Sequence, residues 1–339
     1  MKRMLTWAMG FGLVVVPMGP LAAQDDAPGF AAYVQELAAQ ARGAGVSEAT
    51  IAGMTADLSF NPRVVQLDRS QPGADPNAPP PPYAPYRQSH VDAARIARGR
   101  AVYRAAGDGA GFEARYGVPL PIVLAIWGAE TDYGGGKGSF DLARSLASLA
   151  YEGRRRALFA GEFVALLKMV DRGVPREKLV GSWAGAFGNP QFLPSVYLRV
   201  ARDGDGDGFA DIWSNREDTL ASIAAYFRDA GWQTGLPWGV GASVPADLNR
   251  AGLASKLDSP VCPRVHLRHS QWKTVAQWRA LGVVPQAALP ENALASLFEP
   301  DGPGKSAFLL TGNYRVILDY NCSNYYALSV GLLADEIAR

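Results

Sequence analysis

The sequence predicts a mainly α-helical chain of the α+β class with one small β-rich insert. Three observations carry that expectation. Apolar residues recur at helical spacing through most of the chain, with proline near helix starts and glycine near helix stops. Short strand-like runs among dense turn residues are confined to one stretch, roughly 237–312. The composition, 48% hydrophobic and 19% charged over 339 residues, is that of a globular protein long enough for more than one compact unit. A formal net charge of +1 and the lack of any long basic run give no argument for a nucleic-acid partner.

The chain opens on a basic start, Lys2 and Arg3, an apolar stretch from Met4 to about Met18, and the small-residue cleavage site Pro20-Leu21-Ala22-Ala23. That pattern reads as a signal peptide over 1–23. The apolar run is short for a membrane span, and a signal anchor is the competing reading. No cysteine stands near the cleavage site, so no lipid anchor is expected. The mature chain is expected to be exported, soluble and periplasmic.

Residues 29–58 read as helical, with Tyr33, Leu37 and Ala41 at helical spacing. Gln71 to Pro85 is too rich in proline for regular helix or central strand and reads as a crossing loop. A polar helix follows from about His90 to Ala105. Pro119 and Pro121 then open an apolar helix that runs to Glu130, and Gly134-Gly135-Gly136 close it. Two more helical patterns lie between Leu142 and Asp171. Leu158, Phe159, Phe163, Leu166, Leu167 and Val170 line one face, and Glu162 is read as solvated. Gly181–Pro194 is small, polar and aromatic, a loop that lets backbone approach a ligand. Thr219 to Ala230 reads as a helix closed by Gly231. Val261–Leu267 and Phe308–Leu310 are the strand candidates of the insert, and a helix from about Asn324 to Ile337 ends the chain. The domain reading is a helical domain over 24–105 completed by 313–339, a core over 106–236, and the β-rich domain over 237–312.

Glu130 is the first chemical signal. It stands in the last turn of an apolar helix, where burial and the negative end of the helix dipole both disfavour its charged form. A carboxyl group kept protonated near neutral pH can serve as a general acid. The second signal is Asp203-Gly204-Asp205-Gly206-Asp207-Gly208-Phe209-Ala210-Asp211, with carboxylates at alternate positions and glycines for the sharp turn. This is the start of an EF-hand-like loop. Oxygen ligands without His or Cys favour a structural calcium ion. Position twelve, usually Glu, is Ser214, so Asp218 or else Glu217 closes a longer loop. The expected ligand set is Asp203, Asp205, Asp207, Phe209, Asp211 and Asp218, and Asp218 could also cap the following helix.

Cys262 and Cys322 are the only cysteines. In an exported chain they favour a disulfide, with two separate buried thiols as the alternative. Gly134–Ser139 lacks the glycine and Ser/Thr positions of a phosphate loop. His266 and His269 have no third ligand nearby, so zinc is not expected. No organic cofactor is implied.

Taken together, Ile126–Gly134, Gly181–Pro194 and Asp203–Trp213 followed by Asp218 resemble the bacterial lytic murein transglycosylases of the membrane-bound B type. Leu67–Pro72, Ala97–Arg100 and Tyr320-Asn321 extend the resemblance over most of the mature chain. It implies a lysozyme-like core domain with an EF-hand-type calcium site, a flanking helical domain and a small β domain. The implied activity is that of a carbon–oxygen lyase. It would cleave the β-1,4 bond between N-acetylmuramic acid and N-acetylglucosamine in peptidoglycan and leave 1,6-anhydromuramoyl ends. Glu130 matches the family's single catalytic acid. Ser182, Gln191, Phe192, Tyr226, Tyr320, Asn321, Tyr326 and, after an atypical proline stretch, Tyr86 match its substrate-binding residues. The implied partner is a peptidoglycan glycan strand, bound by a monomer. Two other readings stand beside this one: a hydrolytic muramidase using Glu130 and Asp132, and a non-catalytic peptidoglycan-binding protein.

Overall fold

A computed structural model of the protein describes residues 29–71, 81–107, 109–255 and 262–339. The expected signal peptide and most of the proline-rich stretch lie outside the described residues. Among those described, no helix is long and apolar enough to cross a membrane. The described residues fall into two compact units whose segments alternate along the chain: 29–71 packs with 134–222, and 81–133 packs with 223–339.

The unit of 29–71 and 134–222 is helical. Its principal helices are Phe30–Gly43, Glu48–Thr55, Pro62–Arg69, Leu142–Glu152, Arg156–Asp171 and Pro194–Val200. Leu37, Val64, Leu142, Leu146, Phe163 and Leu166 are fully buried in it. The stretch read as one helical region, 29–58, breaks in two: Gly45 takes a left-handed backbone, and the Ser47 hydroxyl accepts the Thr50 N–H to start the second helix. Asp68 is buried and is satisfied by Arg154 and Arg155. Glu162 is not solvated as expected. It is 4% exposed, and its carboxylate accepts the Ser195 N–H at 2.9 Å and the Ser195 hydroxyl at 2.6 Å, holding the start of Pro194–Val200. A two-residue pairing of Phe140–Asp141 with Val180–Gly181 leads into the loop 181–194.

The unit of 81–133 and 223–339 combines helices with one antiparallel sheet. The sheet order is Lys273–Thr274, Leu294–Phe298, Phe308–Leu310, Gly239–Ser243, Val284–Pro285. Val275, Trp278, Ala295 and Leu309 are fully buried in its core. The described residues of Val261–Leu267 form no strand: Pro263–His266 is a short helix, with proline in its first turn where no backbone donor is missed. Pro85 likewise sits in the first turn of the helix Tyr83–His90, so helix begins inside the stretch read as loop. The polar helix runs Ala93–Ala106 from an Asp92 cap, and the chain ends with Gly312–Tyr320 and Asn324–Ala338.

Cys262 and Cys322 form a disulfide with their Cα atoms 5.4 Å apart. The bridge closes a loop of 60 residues that holds four of the five sheet strands, all but Gly239–Ser243. Replacing both cysteines with serine is expected to lower unfolding free energy by about 4 kcal/mol in the chain-entropy picture. Urea unfolding measures it, and an unchanged midpoint contradicts it.

Candidate active site

The helix Leu120–Thr131 is apolar on every side, with Leu120, Val123, Leu124 and Ile126 fully or almost fully buried. It stops earlier than the glycine run. Asp132 and Tyr133 themselves adopt left-handed backbone, φ 51° and 60°, ahead of Gly134. Such conformations cost non-glycine residues energy and persist where surroundings hold them. Two contacts hold these. The Asp132 carboxylate accepts the Arg98 Nη2 and Nε donors at 2.7 and 3.1 Å, with Arg95 at 3.8 Å. The Tyr133 ring folds back onto Gly128 and Gly99; a Cβ on Gly99 would lie 2.4 Å from the Tyr133 hydroxyl and 2.7 Å from Ile337. That hydroxyl is buried with no hydrogen-bond partner among the described residues.

This stop leaves Glu130 in the last turn, half-buried. Its Oε1 accepts the Tyr326 hydroxyl at 2.5 Å. Burial pushes the Glu130 carboxyl up to about 7, and the hydrogen bond from Tyr326 opposes that shift without cancelling it. The surrounding phenols stay neutral. Burial and the charge of Glu130 hold Tyr320 and Tyr326 well above the usual tyrosine range and Tyr86 at about 12. Tyr226 donates to the Asp319 carbonyl at 2.8 Å and sets its ring edge-on to Tyr320 at 4.6 Å. Asn321 ends the helix Gly312–Tyr320 directly before the disulfide-bonded Cys322. Glu130, Tyr86, Tyr226, Tyr320, Asn321 and Tyr326 thus all belong to one compact unit.

Ser182, Gln191 and Phe192 belong to the other unit. The Ser182 hydroxyl accepts the Ala186 N–H at 3.0 Å, and Gln191, at φ 50°, donates its side-chain amide to the Gly188 carbonyl at 2.9 Å. Phe192 pairs its backbone with Phe187 and is 2% exposed, so its side chain supports the loop from within.

The acidic loop lies in the same unit. Carboxylate oxygens of Asp203, Asp205 and Asp218 come within 4.8 Å of one another. Asp207 and Asp211 stand outside this cluster. Asp207 accepts the Phe209 N–H, and Asp211 pairs with Lys178 at 3.0 Å and receives the Ser214 hydroxyl. Phe209 gives its carbonyl to the Asp211 N–H. Asp218 does not cap its helix; Asn215 accepts the Asp218 N–H. The Asp218 carboxylate, fully buried, instead accepts Gly204 N–H at 2.7 Å and Asp211 N–H at 2.6 Å, joining the two ends of the loop. Burial raises its pKa, with the neighbouring Asp205 charge adding to the effect and those two N–H bonds opposing it. Glu217 pairs with Arg216 instead. The residues that sequence reasoning left without a role are Arg98, Gly99 and Tyr133. Their only signal is an Asp-Tyr pair occupying the helix stop ahead of three glycines.

A family model described as the transglycosylase SLT domain matches residues 29–335. The chain belongs to this family. The SLT-family chain is 34% identical over 226 residues, 66% of its length, to membrane-bound lytic murein transglycosylase B of Escherichia coli K12, and it spans 58% of that protein. It is similar to SltB3 of Pseudomonas aeruginosa solved with NAG-anhNAM-pentapeptide: 36% identity, TM-score 0.80, covering 91% of this chain and 79% of that one. Escherichia coli Slt35 in complex with calcium is 27% identical at TM-score 0.73, covering 90% and 92%. The SLT-family fold here is accordingly mainly α with a lysozyme-like core and a small sheet.

Tyr133→Phe removes a buried hydroxyl that has no hydrogen-bond partner among the described residues, so stability should hold or rise by roughly 1 kcal/mol. Gly99→Ala should cost about 2 kcal/mol by overpacking, and Gly99→Ala with Tyr133→Phe should recover part of it. Thermal melts of the three proteins decide; a clearly destabilised Tyr133→Phe contradicts the account.

Proposed function

We propose that this chain is an exported, periplasmic lytic murein transglycosylase. It cleaves the β-1,4 bond between N-acetylmuramic acid and N-acetylglucosamine and leaves 1,6-anhydromuramoyl ends. The observation that carries this reading is one carboxyl group, Glu130, raised to about 7 among neutral phenols with no basic group shifting it. Most glycosidases need two carboxylates, one to protonate the leaving oxygen and one to activate water or attack. Asp132, the rival second carboxylate, is committed to Arg98 and Arg95, which disfavours the muramidase reading. A single group suffices if the attacking hydroxyl comes from the substrate. Glu130 then protonates the glycosidic oxygen and, as carboxylate, takes the proton of the C6 hydroxyl of the same muramoyl sugar while that oxygen closes on C1. Tethering gives the attacking hydroxyl a large effective concentration. Tyr326 steadies the carboxylate between the two proton transfers through its 2.5 Å bond. Ser182, Gln191, Phe192, Tyr226, Tyr320, Asn321 and Tyr86 are proposed to line the glycan path.

The acidic loop is proposed to hold a structural calcium ion on Asp203, Asp205 and Asp218. An all-oxygen donor set suits this hard cation, and three carboxylates this close repel one another without one. Bound there, calcium would tie the loop to the helix Arg216–Asp229.

The proposed reaction is tested by mass spectrometry of murein digests: anhydro ends are expected, and reducing ends mean hydrolysis. Glu130→Gln should lose at least about a thousandfold in release while still binding sacculi. Activity should fall as pH rises through about 7, where Glu130 loses the proton it must donate. Stability carries the same signature. Between its unfolded pKa and about 7, the folded chain holds a proton that the unfolded chain has released, so stability falls as pH rises across that window. Glu130→Gln should lack this decline, and urea titrations at several pH values read it.

Calcium alone, added to chelator-treated protein, should raise Tm by about 5 °C. An unmoved Tm at millimolar calcium refutes the site.

A further inference from the structure

We infer that a cavity of about 340 Å³ in the unit of 81–133 and 223–339, walled by Pro81, Pro82, Pro300 and Asp301 and carrying Arg268 and Lys305, is a binding subsite for a carboxylate-bearing peptide. Its size falls within the range of about 300–1,000 Å³ of ligand pockets. The inference rests on the proposed action on peptidoglycan, and it assigns the cavity to the peptide stem of that polymer.

The charges in the cavity are not spent on one another. Glu299 gives both carboxylate oxygens to Arg250, at 2.8 and 3.0 Å. Asp301 gives one oxygen to the Tyr83 N–H at 2.6 Å and so fixes the start of the helix Tyr83–His90. Arg268 and Lys305 have no carboxylate partner among the described residues. Arg268 is also held in place. One of its donors goes to the Pro300 carbonyl at 2.9 Å, and its guanidinium lies over the rings of Phe298 and Tyr325 at 5.5 and 5.3 Å. A guanidinium fixed by stacking and one carbonyl keeps further donors for a carboxylate and spends little entropy on binding it. The rigid proline walls suit an extended chain, and the second oxygen of Asp301 suits an amine. Two cations and one carboxylate oxygen match a short peptide that bears several carboxylates and a free amino group.

The cavity is also wired to the general acid. Tyr325 donates to the Pro81 carbonyl at 2.5 Å, and its hydroxyl lies 3.5 Å from the Pro300 carbonyl. Its neighbour Tyr326, about 100° further round the same helix, donates to Glu130. Tyr86, which feels the Glu130 charge, packs its ring 5.8 Å from that of Tyr325. One helix thus presents one tyrosine to the acid and the next to the cavity wall.

The test compares wild type, Arg268→Gln and Lys305→Glu on murein strands bearing peptide and on the same strands stripped of peptide by an amidase, reading kcat/KM for glycan release. The expected result is a wild-type preference for peptide-bearing strands that falls about tenfold in each variant. Lys305 is exposed and makes no hydrogen bond or ion pair among the described residues, so its variant keeps the test usable if Arg268→Gln misfolds. Indifference of the wild type to peptide, or an unchanged preference in the folded variants, overturns the subsite. Calorimetric titration of free alanyl-glutamyl-diaminopimelate into Glu130→Gln protein reads the subsite without turnover. Binding that is lost on adding Lys305→Glu supports it, and no binding at millimolar peptide overturns it. If neither strand is cleaved by wild type, the proposed reaction fails and the titration still decides the cavity.

Discussion

The hydrogen bond from Tyr326 to Glu130 is the constraint on which the site depends. It joins two helices far apart in sequence, Leu120–Thr131 and Asn324–Ala338, and fixes the position of the one acidic group that an apolar helix carries into its last turn. Its strength comes from its surroundings. In a poorly hydrated pocket without a neighbouring cation, a short bond from a neutral phenol steadies the carboxylate enough to form, while burial still favours the proton. A lysine or arginine in place of Tyr326 would have fixed the carboxylate as a permanent anion, useless as an acid.

The rest of that unit serves this geometry. Left-handed Asp132 and Tyr133 end the helix at Thr131, and the Arg98 ion pair and the Gly99 and Gly128 surfaces hold them there. The disulfide at Cys322 pins the chain just after Tyr320 and Asn321 and just before the Ser323 cap of the Tyr326 helix. Each device restricts backbone where a shift of the proposed acid by an ångström would spoil the proposed proton transfer.

Much was legible in the chain. The apolar run ending at Glu130 and the alternating aspartates from Asp203 each carry a local signal, the late Tyr-Asn pair is legible only through the family resemblance, and several helix boundaries shift from where caps and prolines place them. Glu162 reads as solvated only because it is charged: helical periodicity puts it on the apolar face between Leu158 and Leu166, and the start of the helix Pro194–Val200, 33 residues away through Ser195, satisfies its carboxylate there. Alternate spacing ranks all the aspartates alike, whereas the fold brings Asp203, Asp205 and Asp218 together and bonds Asp207 and Asp211 to local N–H groups and Lys178.

The sequence by itself determined the helical class, the acid at the end of an apolar helix, the oxygen-rich loop and the cysteine pair, because caps, periodicity and residue chemistry act over a few neighbours. Only the tertiary structure decided which tyrosine meets Glu130, which carboxylate closes the acidic loop, and how segments 29–71 and 134–222 pack together while 81–133 joins 223–339. Those outcomes rest on contacts between residues dozens to hundreds of positions apart, where burial and hydrogen-bond satisfaction, not local pattern, select the partner.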